Sequence, residues 1–191
     1  MKQNLKIAIL ITIATTVLFG VVYPLVVTGL AQILFHDQAN GQLIQRNGQI
    51  VGSRIIGQAF AGPGYLHGRP SAAGNGYDAA NSAGSNLAAT NQKLIDRVKA
   101  DVARLQVENP GKPIPVDLVT TSASGLDPDI TPAGAEFQVT RIARERGMSE
   151  QGVRDVIQQH TQGRQFGILG EPRVNVLEVN LTLDQLHPMG K

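Results

Sequence analysis

The sequence predicts an α+β protein: one N-terminal transmembrane helix followed by a small mixed α/β extracytoplasmic domain. Three observations predict it. Residues 7–35 contain no charged side chain. Residues 91–108 and 131–159 carry helical periodicity or helix-boundary residues. Residues 42–60 and 177–183 carry the turn pair or the two-residue alternation of strands.

The uncharged run has 29 residues, of which 17 are Leu, Ile, Val or Phe. A membrane helix needs about 20 mostly apolar residues, and no later stretch compares. At 1.5 Å per residue the run is ~44 Å long, more than a ~30 Å hydrocarbon core. The membrane core is therefore assigned to residues 7–29 of a 7–35 span, with tilt, a kink at Pro24 or projecting helix taking up the excess. Lys2 and Lys6 precede the run, and no Lys or Arg follows until Arg46. The positive-inside rule then leaves residues 1–6 in the cytoplasm and residues 36–191 outside, as a single-pass protein of the cytoplasmic (inner) membrane. A cleaved secretory signal competes, with Val27-Thr28-Gly29 as its cleavage region, but its apolar core is typically about 7–15 residues.

The span is also patterned. Ala8, Thr12, Thr16, Gly20, Pro24 and Thr28 recur every fourth residue. Small side chains let helix backbones approach closely in lipid. A four-residue step drifts by about 40° per repeat, so the stripe winds around the helix and suits several neighbours. These six positions are the candidate membrane-helix packing residues.

Beyond the span, Asn47-Gly48 between Leu43-Ile44 and Ile50-Val51 predicts a hairpin with a type I′ turn. Residues 61–89 are rich in Gly, Pro, Ser, Asn and Ala, yet hold Tyr65, His67, Arg69, Tyr77 and Asn86. They read as a long ordered loop. Residues 91–108 form an amphipathic helix with Leu94, Val98, Val102 and Leu105 on one face and Thr90 as its cap. Residues 113–119 read as a short extended stretch and 122–130 as a polar loop. Thr131-Pro132 starts a helix that Gly147 ends. Ser149 starts another, with Met148 and Val153 as a hydrophobic staple. Leu177, Val179, Leu181 and Leu183 alternate with polar residues and predict a final half-buried strand.

Composition excludes several functions. Removing Lys2 and Lys6 from the 17 basic residues leaves 15, equal to the 15 acidic ones. With aromatics at 4% and no basic stripe, nucleic acid is not an expected partner. The chain has no cysteine, hence no disulfide or thiolate nucleophile. No Walker loop, H-E-x-x-H or G-x-S-x-G motif is present. Asp117, Asp127 and Asp129 carry oxygens a hard cation wants. The simpler reading makes 125–128 a turn and places Asp129 at a helix N-terminus, where its charge suits the dipole. A membrane-tethered hydrolase using Ser122 or Ser124 with His67 or His160, or a small-ligand-binding domain, is the alternative function.

Four runs occur in order: Gly52-Ser53 with Ile56-Gly57-Gln58 and Phe60; Gly68-Arg69-Pro70-Ser71-Ala72 followed by Gly84-Ser85-Asn86-Leu87 and Asn91; Asp117 and Val119-Thr120 with residues 122–128; and residues 170–177. Together they resemble the C subunit of the bacterial high-affinity potassium-importing P-type ATPase, the Kdp complex, across nearly the whole chain. Ala88-Ala89-Thr90 and Asp129 depart from residues often seen there. The resemblance implies a non-catalytic accessory subunit that helps assemble and stabilise two partners. One is a channel-like subunit that binds potassium, the other a P-type ATPase subunit; membrane lipid surrounds the helix. ATP and magnesium are implied for the complex. Family descriptions attach ATP binding to this subunit too, with Gln58, Gln138, Gln158 and Gln159 as residues able to meet a base; no cofactor is assigned to this chain. The expected arrangement has the outer domain over the external mouth of the potassium pathway. The subunit-interface candidates are Gln58, Arg69, Ser71, Ser85, Asn86, Asn91, Ser122, Ser124 and Asp127.

Overall fold

The computed structural model describes residues 1–189. The chain divides into two compact units, Met1–Leu43 and Ile44 onward.

The first unit is helical from Lys2 to Leu34, 33 residues long and apolar enough to cross a membrane. It consists of α1 (Lys2–Val17), a π-turn (Leu18–Val22) and α2 (Tyr23–Leu34). The break expected at Pro24 takes the form of this π-turn. Proline has no N–H to give, and its ring collides with the carbonyl four residues back, here Gly20. Widening the turn moves the bond: the Tyr23 N–H reaches the Leu18 carbonyl, five residues back. Neither helix contains a buried residue. The short α3 (His36–Ala39) follows, and Asn40 Nδ2 closes the end by donating to the His36 carbonyl at 2.7 Å and to Gln32 Oε1 at 3.1 Å.

A hairpin of β1 (Leu43–Arg46) and β2 (Gln49–Ser53), paired across a tight turn, follows. Asn47 and Gly48 have φ of 51° and 76°, as a type I′ turn requires. The amphipathic helix is α4 (Gln92–Glu108). Its cap is Asn91, not Thr90: Asn91 Oδ1 accepts the Lys93 N–H at 2.9 Å. Asn caps at least as well as Thr, and one residue of register decides between them. Leu105 is buried with Leu118, Val119 and Phe137, and Val98 and Val102 pack against them. The stretch expected to be extended at 113–119 instead contains a 3₁₀ turn, Val116–Leu118, after Pro115.

A second sheet of three short strands has β5 (Arg173–Asn175) between β3 (Asp129–Ile130) and β4 (Thr161–Gln162), antiparallel to both. Helix α5 (Pro132–Arg146) starts where Thr131 Oγ1 accepts the Gly134 N–H at 3.0 Å and ends at Gly147, φ 63°. Helix α6 (Glu150–Gln159) is capped by Ser149, and Met148 packs on the cluster containing Val153, as the staple predicts. The expected final strand is a helix, α7 (Val176–Leu186). Leu177, Val179 and Leu183 are buried, but so are Val176 and Asn180, which gives a helical face. The deciding residue is Asn175, whose Oδ1 accepts the Glu178 N–H at 3.1 Å and starts the helix directly after β5. The main core gathers Val139 and Ile142 of α5, Val153 and Val156 of α6, Val174 of β5, and Val179 and Leu183 of α7.

Candidate functional site

Residues 61–89 are the loop that the sequence marks as ordered, and buried amides hold it. Leu66 is fully buried although it lies in no helix or strand. A buried peptide group must find partners, and here two side chains imitate a neighbouring strand. Asn180 Oδ1 accepts the Leu66 N–H at 2.7 Å, and Asn180 Nδ2 donates to the Leu66 carbonyl at 2.8 Å. Gln138 does the same one residue on, accepting the His67 N–H at 2.9 Å and donating to the His67 carbonyl at 3.0 Å. Burial first, and the charge of Arg141 second, push the His67 imidazole below its ordinary pKa. Its Nε2 lies 2.9 Å from the Gly62 carbonyl, which only accepts, so the proton of the neutral ring sits on Nε2.

Two arginines of α5 fasten the start of the loop. Arg141 pairs with Glu108 at 2.8 Å and donates to the Tyr65 and Pro63 carbonyls. The Arg146 side chain is fully buried; it pairs with Asp184 at 2.9 Å, donates to the Gly64 carbonyl and lies 4.8 Å from the Tyr65 ring centre. Composition did not reveal these pegs. The available signal was helical phase: Gln138 and Arg146 share the face of α5 that buries Ala135, Val139 and Ile142.

Further along, the loop meets residues 120–127. Arg69 donates to Asp127 Oδ2 at 3.0 Å, to the Thr121 carbonyl at 3.1 Å and to the Thr120 carbonyl at 3.3 Å. Tyr77 Oη donates to the Arg69 carbonyl at 2.6 Å; burial, then the Asp127 charge, raise its pKa. Ser71 Oγ donates to the Gly125 carbonyl at 2.6 Å and accepts the Tyr77 N–H at 2.7 Å. The Ser124 carbonyl accepts the Ala83 N–H at 3.0 Å. Gly125 makes the close approach possible: its φ is 67°, and a Cβ there would lie 2.6 Å from both Ala73 N and the Ala83 carbonyl.

The structure thus brings together Arg69, Ser71, Ser124 and Asp127, and joins Ser122 through a 3.4 Å contact between the two serine hydroxyls. It does not bring the others in. Asn91 is the α4 cap, and Gln58 donates to the Val51 carbonyl at 3.3 Å. Ser85 is half-buried and Asn86 is exposed, with φ 50°. Of the membrane-helix positions, Ala8, Thr12, Thr16, Gly20, Pro24 and Thr28 are all exposed.

Beside Arg69 lies a cleft of about 190 Å³ lined by Asp117, Asp127, Asp129, Thr131 and Arg173. Most of its carboxylate oxygens are engaged, while the buried Asp117 Oδ1 has no hydrogen-bond partner among the described residues. Asp127 holds Arg69, and Asp129 pairs with Arg173 at 3.0 Å and accepts from Asn175 at 3.0 Å. Burial pushes the Asp129 carboxyl up. Asp129 is therefore a sheet residue; it is Asp117 that attends the α5 N-terminus, accepting the Thr131 N–H at 2.7 Å and its hydroxyl at 2.9 Å. Among the described residues no three His, Cys, Asp or Glu side chains converge to hold a metal ion. The serine–histidine pairing of a hydrolase is also not among the described bonds. His160 Nε2 lies 2.8 Å from Thr182 Oγ1 and its Nδ1 3.6 Å from Glu178. Gln138, one of the glutamines considered for a nucleotide base, is buried with both ends of its amide engaged.

Comparison with known proteins places the chain in a family. The family model for the K+-transporting ATPase c chain matches residues 5–185. A potassium-transporting ATPase KdpC subunit from Koribacter versatilis is 67% identical over 189 residues, covering 99% of this chain and 98% of that protein. The KdpC subunit of Acidobacterium capsulatum is 59% identical, over 97% of this chain and all of the relative. That of Methylobacterium nodulans is 54% identical over 97% of this chain. The chain belongs to the KdpC family of potassium-transporting ATPase subunits.

Proposed function

We propose that this chain is a non-catalytic accessory subunit of an ATP-driven potassium import complex, assembling and stabilising its channel-like and P-type ATPase subunits. One observation carries the reading: the helix Lys2–Leu34 is apolar throughout its centre and buries none of its residues within its own chain. Lipid accommodates such a surface, and partner helices accommodate its small-residue positions better. In the second unit the buried amides of Gln138 and Asn180 and the arginines Arg141 and Arg146 hold the chain's own loops, which supports a docking body. The charge pattern orients the N-terminus to the cytoplasm and the second unit outside, in the bacterial inner membrane. ATP and magnesium belong to the ATPase partner in this reading. Any influence of this chain on nucleotide affinity is then an indirect coupling between separate sites.

The test replaces Thr16 and Gly20 with leucine in the chain co-expressed with its partners. Co-purification and growth at limiting potassium are measured. Assembly should fall at least five-fold, while the second unit keeps its circular dichroism. Full assembly and full growth would refute the helix-packing reading.

A further inference from the structure

Residues 162–171, running from the last residue of β4 toward β5, are ten consecutive exposed positions. Within them the chain forms a closed turn. The Gln165 N–H donates to the Leu169 carbonyl and the Leu169 N–H to the Gln165 carbonyl, each at 2.9 Å. The tip carries Phe166, Ile168 and Leu169, which are 90%, 76% and 55% exposed. Phe166 has φ 53°, a region that non-glycine residues seldom occupy. Gly167, the next residue, has φ 76°. An exposed aromatic held in this way gains nothing from the fold that holds it.

We infer that this tip is a docking knob that inserts into an apolar pocket on the extracytoplasmic face of a partner subunit of the same complex. The inference rests on the accessory-subunit reading and adds a specific contact to it. Two arguments choose the occupant. The first is charge. At the base of the turn Arg164 pairs with Glu171 at 2.6 Å, and Arg173 pairs with Asp129 at 3.0 Å. The base is therefore neutral, whereas surfaces that bind anionic lipid carry unpaired Lys and Arg. The second is size. Three such side chains bury on the order of 400 Å², or about 800 Å² with the partner's matching surface, which is short of the roughly 1,000 Å² total that a free-standing interface needs. A knob this small works only when something else holds the partner near, and a membrane helix in the same chain does that by raising the local concentration. Self-association through two such tips would bury too little to persist.

The test uses the full chain co-expressed with the other subunits. The photoreactive residue p-benzoyl-phenylalanine is placed at Phe166 and, as a control, at exposed Lys99 on α4. Irradiation should give an adduct with a partner subunit at Phe166, at least five-fold above the Lys99 level. An adduct with lipid, an adduct with a second copy, or a yield equal to the control would overturn the knob. In parallel, the F166S/I168S variant should lower partner recovery about five-fold without changing the circular dichroism of the chain, because both side chains lie outside the core. Normal recovery would count against the knob. If the T16L/G20L variant loses assembly while Phe166 gives no subunit adduct, the knob is wrong and the accessory reading stands. If the wild-type chain does not co-purify with the other subunits, the accessory reading itself is wrong and the knob falls with it.

Discussion

Replacing Asn180 with alanine tests how the long loop is held. The side chain is fully buried, and its amide satisfies both the N–H and the carbonyl of Leu66. Alanine leaves two buried backbone groups without partners, each costing about 1–3 kcal/mol. Partial relaxation brings water to the loop and recovers part of that, so the expected loss is about 3 kcal/mol. The chain has no tryptophan, so urea unfolding is followed by circular dichroism of the full chain in detergent. Hydrogen exchange of residues 64–69 supplies a local readout, and N180A should lose protection there. N180D is the sharper variant. It keeps the acceptor for the Leu66 N–H but sets a carboxylate oxygen against the Leu66 carbonyl, so it should destabilise by at least as much. A loss below about 0.5 kcal/mol for N180A, within the range of ordinary surface substitutions, with protection retained, would refute the clasp.

Two further outcomes follow from the same region. G125A puts an L residue at φ 67° and a Cβ 2.6 Å from two backbone atoms. The left-handed conformation alone costs about 1–2 kcal/mol, and the overlap adds to it, so the midpoint of thermal unfolding should fall and the Tyr77 N–H that Ser71 Oγ accepts should lose protection from hydrogen exchange. His67 makes the domain acid-sensitive. Its folded pKa lies below the ordinary value, so the unfolded chain takes up the proton first as pH falls through about 6.5. Stability is therefore lost between that pH and the lowered folded pKa, and is unaffected above it. Asp129, pushed up by burial, acts in the opposite sense nearer the carboxylate range. Thermal unfolding from pH 7.5 to 5.5 should show the decline in the wild type and a flatter profile in H67Q; identical profiles would refute the assignment.

How much of this was legible in the residues depended on the range of the interactions. Both ends of α5 and the start of α6 were readable because Thr131, Pro132, Gly147, Ser149 and Met148 act on backbone atoms within a few residues. The tail was misread because Leu177, Val179 and Leu183 satisfy both a strand and a helix period. Asn175, with Glu178 three residues later, was the local signal that separates them. The candidate site was legible as residues but not as an arrangement. Arg69, Ser71, Ser124 and Asp127 stood out in polar loops, yet nothing local paired Arg69 with Asp127, 58 residues away. The motif residues Asn91 and Gln58 turned out to serve the backbone nearby.

The sequence by itself determined the apolar span, its charge asymmetry, the family and the absence of familiar catalytic motifs, because each depends on composition or short-range order. The tertiary structure alone decided what holds residues 61–89 in place. Asn180 and Leu66 lie 114 residues apart, and a hydrogen bond between them exists only after α5 and α7 pack and exclude water. It also decided that Arg141 and Arg146 are buried pegs and that Phe166 is left outside. Burial is a property of the assembled core, and no single stretch of chain carries it.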